Sequence, residues 1–198
     1  MKLENVKKSY GGREVLADLS AEIPDGQVTC LMGPSGCGKT TLSRILMGLE
    51  APDGGTVTGN GGRASAVFQE DRLCESLTAE ENVRLVYPEG GREAALALLC
   101  ELGLAGHTDK PAKELSGGMR RRVAIARALF APFDFLVLDE AFTGLDAETK
   151  AEVITTIKRR TAGKTVLFIT HDREEAEALS QRIFRMEEGR MISETPEI

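Results

Sequence analysis

Apolar residues along the chain occur in two patterns, as compact runs and at helical spacing. The runs at residues 28–32, 135–138 and 166–169 are short and continuous, which predicts buried strands. Apolar residues recur at helical spacing in residues 40–49 and 147–160, which predicts helices that bury one face. Because predicted strands and helices alternate, we expect an α/β protein with a mixed or parallel sheet flanked by helices.

The N-terminal part has a different pattern. Residues 3–23 predict short strands that turn at Gly11 and Gly12, and hence an antiparallel β region. Residues 52–62 are rich in glycine, which predicts turns at the tip of a hairpin.

The middle of the chain, residues 80–129, is helical in pattern. Thr78, with Glu81 three residues later, forms a capping box that marks a helix start. No repeat, long linker or low-complexity tract divides the chain. We therefore predict one domain, residues 1–198, in which a core is interrupted by a helical subdomain. The predicted core is residues 1–69 and 131–198, and the predicted subdomain is residues 70–130, approximately.

A phosphate-binding motif lies between the first predicted buried strand and helix. Residues 33–40 read GPSGCGKT and match G-x-x-x-x-G-K-[ST]. Glycines let successive N–H groups face phosphate oxygens, and the following helix adds its positive end. Lys39 is expected at the β- and γ-phosphates, and the Thr40 hydroxyl on Mg²⁺. The core is therefore predicted to be a P-loop NTPase core. Its predicted nucleotide contacts are Gly33, Ser35, Gly36, Cys37, Gly38, Lys39, Thr40 and Thr41.

Two carboxylates end the second buried strand. Ligands in parallel-sheet folds bind at the carboxyl ends of strands, where Asp139 would hold Mg²⁺. Glu140 would orient or deprotonate the attacking water. On its own, such a pair is commonly a solvated cap of the next turn, but the phosphate loop in the same chain argues against that explanation.

The two histidines differ in context. His171 directly follows the third buried strand, so its side chain could point at the γ-phosphate, although a histidine at a strand end is more often structural. His107 lies in a polar segment, which predicts a surface position.

Composition excludes several classes of protein. The net charge of −6 argues against nonspecific nucleic-acid binding, which draws on a basic excess. The four cysteines are scattered with no C-x-x-C pair, unlike a zinc site or a disulfide framework. No apolar run approaches the roughly 20 residues that cross a bilayer, and residues 1–10 lack the apolar core of a signal peptide. We expect a cytoplasmic protein.

Residues 115–119, LSGGM, open a helix that continues through three arginines, Arg120 to Arg122. This segment closely resembles the signature motif of ATP-binding cassette (ABC) ATPases. A serine hydroxyl and glycine N–H groups at a helix N-terminus form an anion site, here from Ser116 and Gly118. The three arginine side chains themselves are most simply interpreted as a solvated helix face.

The resemblance covers residues 2–190, approximately, and implies further roles. Tyr10 resembles the aromatic residue that stacks on adenine, although alone it would be an ordinary strand tyrosine. Gln69 resembles the glutamine that contacts Mg²⁺, and His171 the switch histidine that senses the γ-phosphate. Residues 143–146, which include Asp146, resemble the loop that crosses the interface between two cassettes. In this family, the signature of one subunit closes on the nucleotide of its partner, which implies a head-to-tail pair with two ATP molecules.

Two residues depart from the family pattern. Ala141 stands where proline is usual, which implies a more flexible loop. Met119 replaces a frequent glutamine of the signature and puts a polar contact across the dimer in doubt. Neither removes a group that hydrolysis requires.

The resemblance implies an ATPase subunit that uses ATP and Mg²⁺, with a membrane permease in separate chains and an external binding protein as a further partner. Such a subunit lies on the inner face of the cell membrane. The compact cassette is similar to importer ATPases of the nitrate, sulfonate and taurine type. A soluble ABC ATPase acting on ribosomes or DNA is the alternative, and a phosphate-loop kinase is a third possibility that the signature motif argues against.

Cys37 lies inside the phosphate loop, and no resolving partner favours a redox role. We expect alkylation of this thiol to inhibit ATP hydrolysis, with bound ATP protecting it, because both occupy the same loop. Labelling can be followed by mass spectrometry with and without ATP. Equal labelling of Cys37 in both conditions would contradict this placement.

Overall fold

The computed structural model describes residues 1–59 and 62–194. Contacts group them into two units. The first unit comprises the described residues of Met1–Ala64, Asp134–Asp139, and the chain from Ala162 onward. The second unit comprises Ser65–Phe133 and Glu140–Thr161. The division into a core and a helical subdomain expected from the sequence stays a prediction.

The described residues form nine strands and six α-helices, with short 3-10 turns at Pro88–Gly90 and Ala112–Glu114. The strands are β1 (Lys2–Tyr10), β2 (Arg13–Glu22), β3 (Val28–Met32), β4 (Gly54–Thr58), β5 (Ala64–Val67), β6 (Phe135–Asp139), β7 (Thr165–Ile169), β8 (Arg182–Glu187) and β9 (Arg190–Glu194). The helices are α1 (Lys39–Leu46), α2 (Ala79–Arg84), α3 (Arg92–Glu101), α4 (Gly117–Phe130), α5 (Ala147–Arg160) and α6 (Arg173–Leu179).

The first unit contains two kinds of sheet. An antiparallel sheet has the order β2-β1-β4. The other has β6-β7-β3-β8-β9 in order, in which β6, β7, β3 and β8 run parallel and β9 is antiparallel to β8. Every residue of β6 and β7 is buried, which is why these strands are continuous apolar runs rather than alternating ones. The α/β class with a mixed sheet and an antiparallel N-terminal region is confirmed.

The parallel register aligns three strand ends. Ile169 of β7 is level with Leu31 of β3 on one side and with Asp139 of β6 on the other. Neighbouring strands lie about 4.8 Å apart. The residues that follow β3, β6 and β7 therefore leave the same edge of the sheet, within about 10 Å of one another across the strands.

The second unit is mainly helical, as the sequence predicts for the middle of the chain. The capping box is confirmed at the start of α2, where the Thr78 hydroxyl accepts from the Glu81 amide and the Glu81 carboxylate accepts from the Thr78 amide. The bond from the Thr78 amide lowers the pKa of Glu81. The core of this unit consists of fully or nearly fully buried apolar side chains, including Val83, Leu98, Leu99, Val123, Ile125, Phe142, Val153 and Ile157.

The prediction of turns over residues 52–62 is wrong for Gly54–Thr58, which is β4 and pairs with β1. The glycines there allow β4 to approach β1 closely. A Cβ on Gly55, whose φ is +78°, would lie 2.2 Å from the Asn5 carbonyl oxygen. The register shifts between Glu4 and Lys7, as in a β-bulge. Asn60 and Gly61, in the same predicted segment, lie outside the described residues.

Three other expectations need correction. The helix expected over residues 40–49 ends at Leu46, so Leu49 is 65% exposed rather than packed inward. The surface position expected for His107 is wrong in part, because that residue is half-buried. The solvated arginine face is wrong for Arg121, which is only 2% exposed. Its guanidinium donates to backbone carbonyls and to the Asp71 carboxylate within the second unit, which replace water around its charge.

The C-terminal elements α6, β8 and β9 were missed in the sequence. Charged residues interrupt β8 and β9, yet Ile183 and Met186 of β8 are buried. Within residues 1–59 and 62–194, no helix is long and apolar enough to span a membrane.

The capping box gives a stability prediction. Thr78→Ala should reduce the free energy of unfolding by about 1 kcal/mol, because one amide of the first turn of α2 loses its acceptor. Urea denaturation followed by circular dichroism measures the change. Thr155→Ala is the matched control, since Thr155 is exposed inside α5 and its hydroxyl bonds to its own helix. The control should stay within about 0.5 kcal/mol of the parent. Equal losses in the two variants would contradict the capping role.

Candidate active site

The loop between β3 and α1 is shaped by glycines at positions that exclude a side chain. Gly33 has φ +148°, and a Cβ there would lie 2.4 Å from the Met186 carbonyl oxygen. Gly38 has φ +108° and caps α1, and its Cβ would lie 2.9 Å from the Val15 carbonyl oxygen. The loop is therefore wedged between β8 and β2, and its backbone is free to face a ligand at the start of α1.

Lys39 is the first residue of α1, and its side chain turns back over this loop. Its ammonium donates to the carbonyls of Gly33, at 2.7 Å, and Pro34, at 2.9 Å. The Cys37 Sγ lies 3.8 Å away. A positive charge thus sits among the backbone groups of the loop, where phosphate oxygens are bound in P-loop proteins. Thr40 is exposed on the next position of the helix.

Tyr10 lies at the end of β1 and is 45% exposed. Its hydroxyl donates to the Glu50 carboxylate. Lys8 Nζ lies 5.6 Å from the ring centroid, 3.3 Å from Glu50 and 2.9 Å from Asp53. Partial burial raises the pKa of the Tyr10 hydroxyl, and the bond to Glu50 raises it further. This cluster holds an exposed aromatic ring in a fixed orientation, and the sequence analysis did not foresee its acidic members because they are distant in sequence.

Asp139 and His171 leave the same edge of the parallel sheet as the loop. Asp139 is 7% exposed and ends β6. His171 is exposed and follows Thr170, whose hydroxyl donates to Glu175 at 2.7 Å and accepts from the Asp172 amide. Asp172 caps α6 in turn. The backbone on both sides of His171 is thereby anchored, so the imidazole projects from a rigid corner.

Glu140, the first residue of the second unit after Asp139, has φ +51°. This left-handed conformation costs a non-glycine residue about 1–2 kcal/mol. The turn that follows is closed by bonds from the Thr143 amide to the Glu140 carbonyl and from the Leu145 amide to the Phe142 carbonyl. Ala141 is fully buried, so the position where proline is usual is packed. A strained backbone at a candidate catalytic carboxylate suggests that its direction matters.

The signature segment begins α4 in the second unit. Ser116 is the N-cap, and its hydroxyl accepts from the Met119 amide at 3.3 Å. A Cβ on Gly118 would lie 3.1 Å from the Gly144 carbonyl, so the loop of residues 143–146 packs against the signature. Asp146 accepts from the Thr149 amide as the N-cap of α5. This bond lowers the pKa of Asp146, and it gives Asp146 a structural role beside the predicted one.

Gln69 is exposed in the second unit, in the segment after β5. Arg121, which the sequence presented as one of a charged run, reaches this segment and also Glu140. Nothing in the local sequence separates it from Arg120 and Arg122.

Comparisons with known proteins agree with this arrangement. The family model described as ABC transporter matches residues 16–143. An aliphatic sulfonates import ATP-binding protein, SsuB 2 of Agrobacterium fabrum, is 42% identical over 94% of this chain and 76% of its own. SsuB 1 of Rhizobium johnstonii, of the same description, is 40% identical over 98% of this chain and 76% of its own.

Solved structures agree as well. The dimeric structure of MJ0796, a bacterial ABC transporter cassette, superposes with a TM-score of 0.87 at 30% identity, over 98% of this chain and 97% of that one. A dimeric post-hydrolysis state of the same cassette, bound to ADP and Pi, gives a TM-score of 0.88.

The resemblance seen in the sequence is thereby confirmed. The chain belongs to the ABC transporter family and is an ATP-binding, ATP-hydrolysing subunit.

Proposed function

We propose that this subunit drives an importer, with aliphatic sulfonates as the cargo, by closing on a second cassette around ATP and Mg²⁺. The observation that most supports the ATP-binding part of this proposal is the aligned edge of β3, β6 and β7, from which the phosphate loop, Asp139 and His171 leave the sheet in one unit. This edge is where ligands bind in α/β sheets.

In the first unit, the nucleotide would lie along the phosphate loop. The backbone from Gly33 to Gly38 would cradle the phosphates, and Lys39 would contact the β- and γ-phosphates. The helix end, with Thr41, would contact the α-phosphate. Tyr10 is exposed and held by Glu50, so its face is available for stacking on adenine.

The residues present also fit Mg²⁺. Thr40 and Asp139 offer a hydroxyl and a carboxylate, the oxygen ligands that Mg²⁺ prefers, and the family resemblance assigns Gln69 as a further ligand. A cation bound there would neutralise negative charge on the phosphates.

Hydrolysis would depend on two further side chains. Glu140 would accept a hydrogen bond from the attacking water and orient it. His171 would contact the γ-phosphate from its anchored corner. Since phosphoryl transfer is catalysed mainly by positioning and charge stabilisation, these roles require fixed directions more than strong bases.

Two cassettes would complete each site. Ser116 at the N-terminus of α4 has a hydroxyl hydrogen left to donate, and together with the Gly118 N–H it would bind the γ-phosphate held by the partner. Asp146 would lie at the same interface. Turnover would then depend on closure of the pair.

The transport role follows the named relatives, which are import ATP-binding proteins. The membrane permease would be a separate chain that holds this subunit at the inner face of the membrane, with an external binding protein as a further partner. Action on ribosomes or DNA, the alternative drawn from the sequence, gains no support from these relatives, and nucleic acid is not among the proposed partners.

Glu140→Gln tests the hydrolytic role. It should lower kcat for ATP hydrolysis by at least about 100-fold, because the amide cannot accept the proton of the attacking water. ATP affinity should be preserved, and the ATP-bound dimer should accumulate on size exclusion. Glu148→Gln, the same change at an exposed position of α5, is the control and should retain activity. Full activity of Glu140→Gln would refute the assigned role.

Isolation from membranes tests the transport role. Tagged chain purified from detergent-solubilised membranes should carry a polytopic permease, identified by mass spectrometry, and ATPase activity in proteoliposomes should rise with an aliphatic sulfonate and its binding protein. Recovery of ribosomes or nucleic acid without a permease would contradict the importer function. Stimulation by another solute alone would reject the sulfonate cargo.

A further inference from the structure

Arg121 is a buried cation in the middle of α4. It is 2% exposed. Its Nη1 donates to the Phe68 carbonyl at 2.6 Å and to Asp71 Oδ1 at 3.2 Å. Its Nη2 donates to the Glu140 carbonyl, also at 2.6 Å. One planar group therefore bridges two parts of the second unit that are far apart in sequence.

The first part is the segment that carries Gln69. Phe68 precedes this residue directly, and Asp71 lies two positions beyond it. Arg127, six residues further along α4, donates to the carbonyls of Asp71 and Arg72, each at 2.8 Å. Arg72 in turn lies over the Phe68 ring, 4.3 Å from its centroid. Residues 68–72 are thus held to α4 at two points.

The second part is the turn at Glu140. Its φ of +51° is unfavourable for a residue with a Cβ and persists only where the surroundings hold it. The bond from Arg121 fixes the carbonyl of that same residue. A short bond from an ionised donor is stronger than one between neutral groups, so this contact is well suited to hold a strained backbone.

We propose that Arg121 is a positioning residue, which sets the direction of the Glu140 side chain through its backbone and ties that direction to the segment of Gln69. The inference rests on the proposed function, in which both residues serve ATP hydrolysis. Arg121 itself contacts carbonyls and a carboxylate of the protein, and acts through Glu140.

The position of Arg121 on α4 extends this role. Ser116, the proposed contact to the γ-phosphate of a partner, caps the same helix five residues earlier. Ser116, Glu140 and Gln69, which the proposed function assigns to one reaction, are therefore all connected to the same helix. A displacement of the start of α4 would be passed by Arg121 to the backbone of Glu140 and to residues 68–71.

Arginine suits this place for a geometric reason. The guanidinium presents donors from two nitrogens in one plane, so it can bond to carbonyls on two segments at once. A lysine ammonium keeps the charge but has one nitrogen, and cannot reproduce a bond from each of two separated atoms. Lysine at position 121 therefore removes the bridge while retaining the buried cation.

Arg121→Lys and Arg127→Lys form a matched pair that tests the proposal. Both make the same change in α4 and weaken the hold on residues 68–72, but Arg121 also donates to the Glu140 carbonyl, whereas Arg127 donates to the carbonyls of Asp71 and Arg72. We expect Arg121→Lys to lower kcat about 10- to 100-fold, since a misplacement near 1 Å can cost a factor of about 100. KM and nucleotide affinity should change less than about 2-fold, because the phosphate loop is untouched. Arg127→Lys should keep kcat within about 2-fold.

Steady-state ATPase kinetics, fluorescent-nucleotide binding and melting temperature are measured for both variants. Equal kcat values in the two variants, or a loss in Arg121→Lys that appears in KM instead, would overturn the proposal. A merely structural role would lower the melting temperature without this split between kcat and KM.

A second pair serves if Arg121→Lys does not fold. Asp71→Asn removes the ion pair to Arg121 at a partly exposed residue, and Glu70→Gln makes the same change at its neighbour, whose side chain is 83% exposed. Asp71→Asn should lower kcat about 2- to 5-fold with KM unchanged, and Glu70→Gln should not. Equal kcat in these two would overturn the proposal. The proposed function stands or falls separately, on hydrolysis by the parent and its loss in Glu140→Gln.

Discussion

Parallel hydrogen bonding of β3, β6 and β7 is the constraint on which the first unit depends. Each of these strands is buried on both faces, and their register puts Leu31, Asp139 and Ile169 at one level. A parallel sheet carries its carboxyl ends to one edge, so the residues just beyond each strand are neighbours although more than 100 residues separate some of them. The phosphate loop, Asp139 and His171 share that edge for this reason.

The loop itself shows how tightly the surroundings define a binding backbone. Gly33 is pressed against β8 and Gly38 against β2, so any side chain at either position would collide with a carbonyl oxygen. Such contacts hold the loop in shape before a ligand arrives, which lowers the entropy lost on binding. Tyr10 is also held in position, since Glu50 and Lys8 fix an exposed ring that would otherwise rotate.

In the second unit, helix α4 is the element that holds the candidate site residues in place. It starts at a serine of the signature, packs Val123 and Ile125 into the core, and uses two arginines to hold residues 68–72. Burying the charge of Arg121 is costly unless it is compensated, and its two Nη groups donate to the carbonyls of Phe68 and Glu140 and to the Asp71 carboxylate. The same pairing reaches the strained backbone of Glu140, so packing and chemistry are joined at one side chain.

Much of this was determined by local sequence. The buried strands, the capping box, the phosphate loop and the start of α4 each depend on residue types within a few positions, and all were predictable. The turn assigned to residues 52–62 was wrong because glycine can serve a strand that approaches another closely, and only the presence of β1 decides between the two. Likewise, a run of three arginines is solvated by default, and the carbonyls of Phe68 and Glu140 that bury the middle one come from distant parts of the chain. Sequence alone set which groups could bind and react; tertiary structure decided their neighbours, because burial and hydrogen bonding between remote segments are properties of the folded chain.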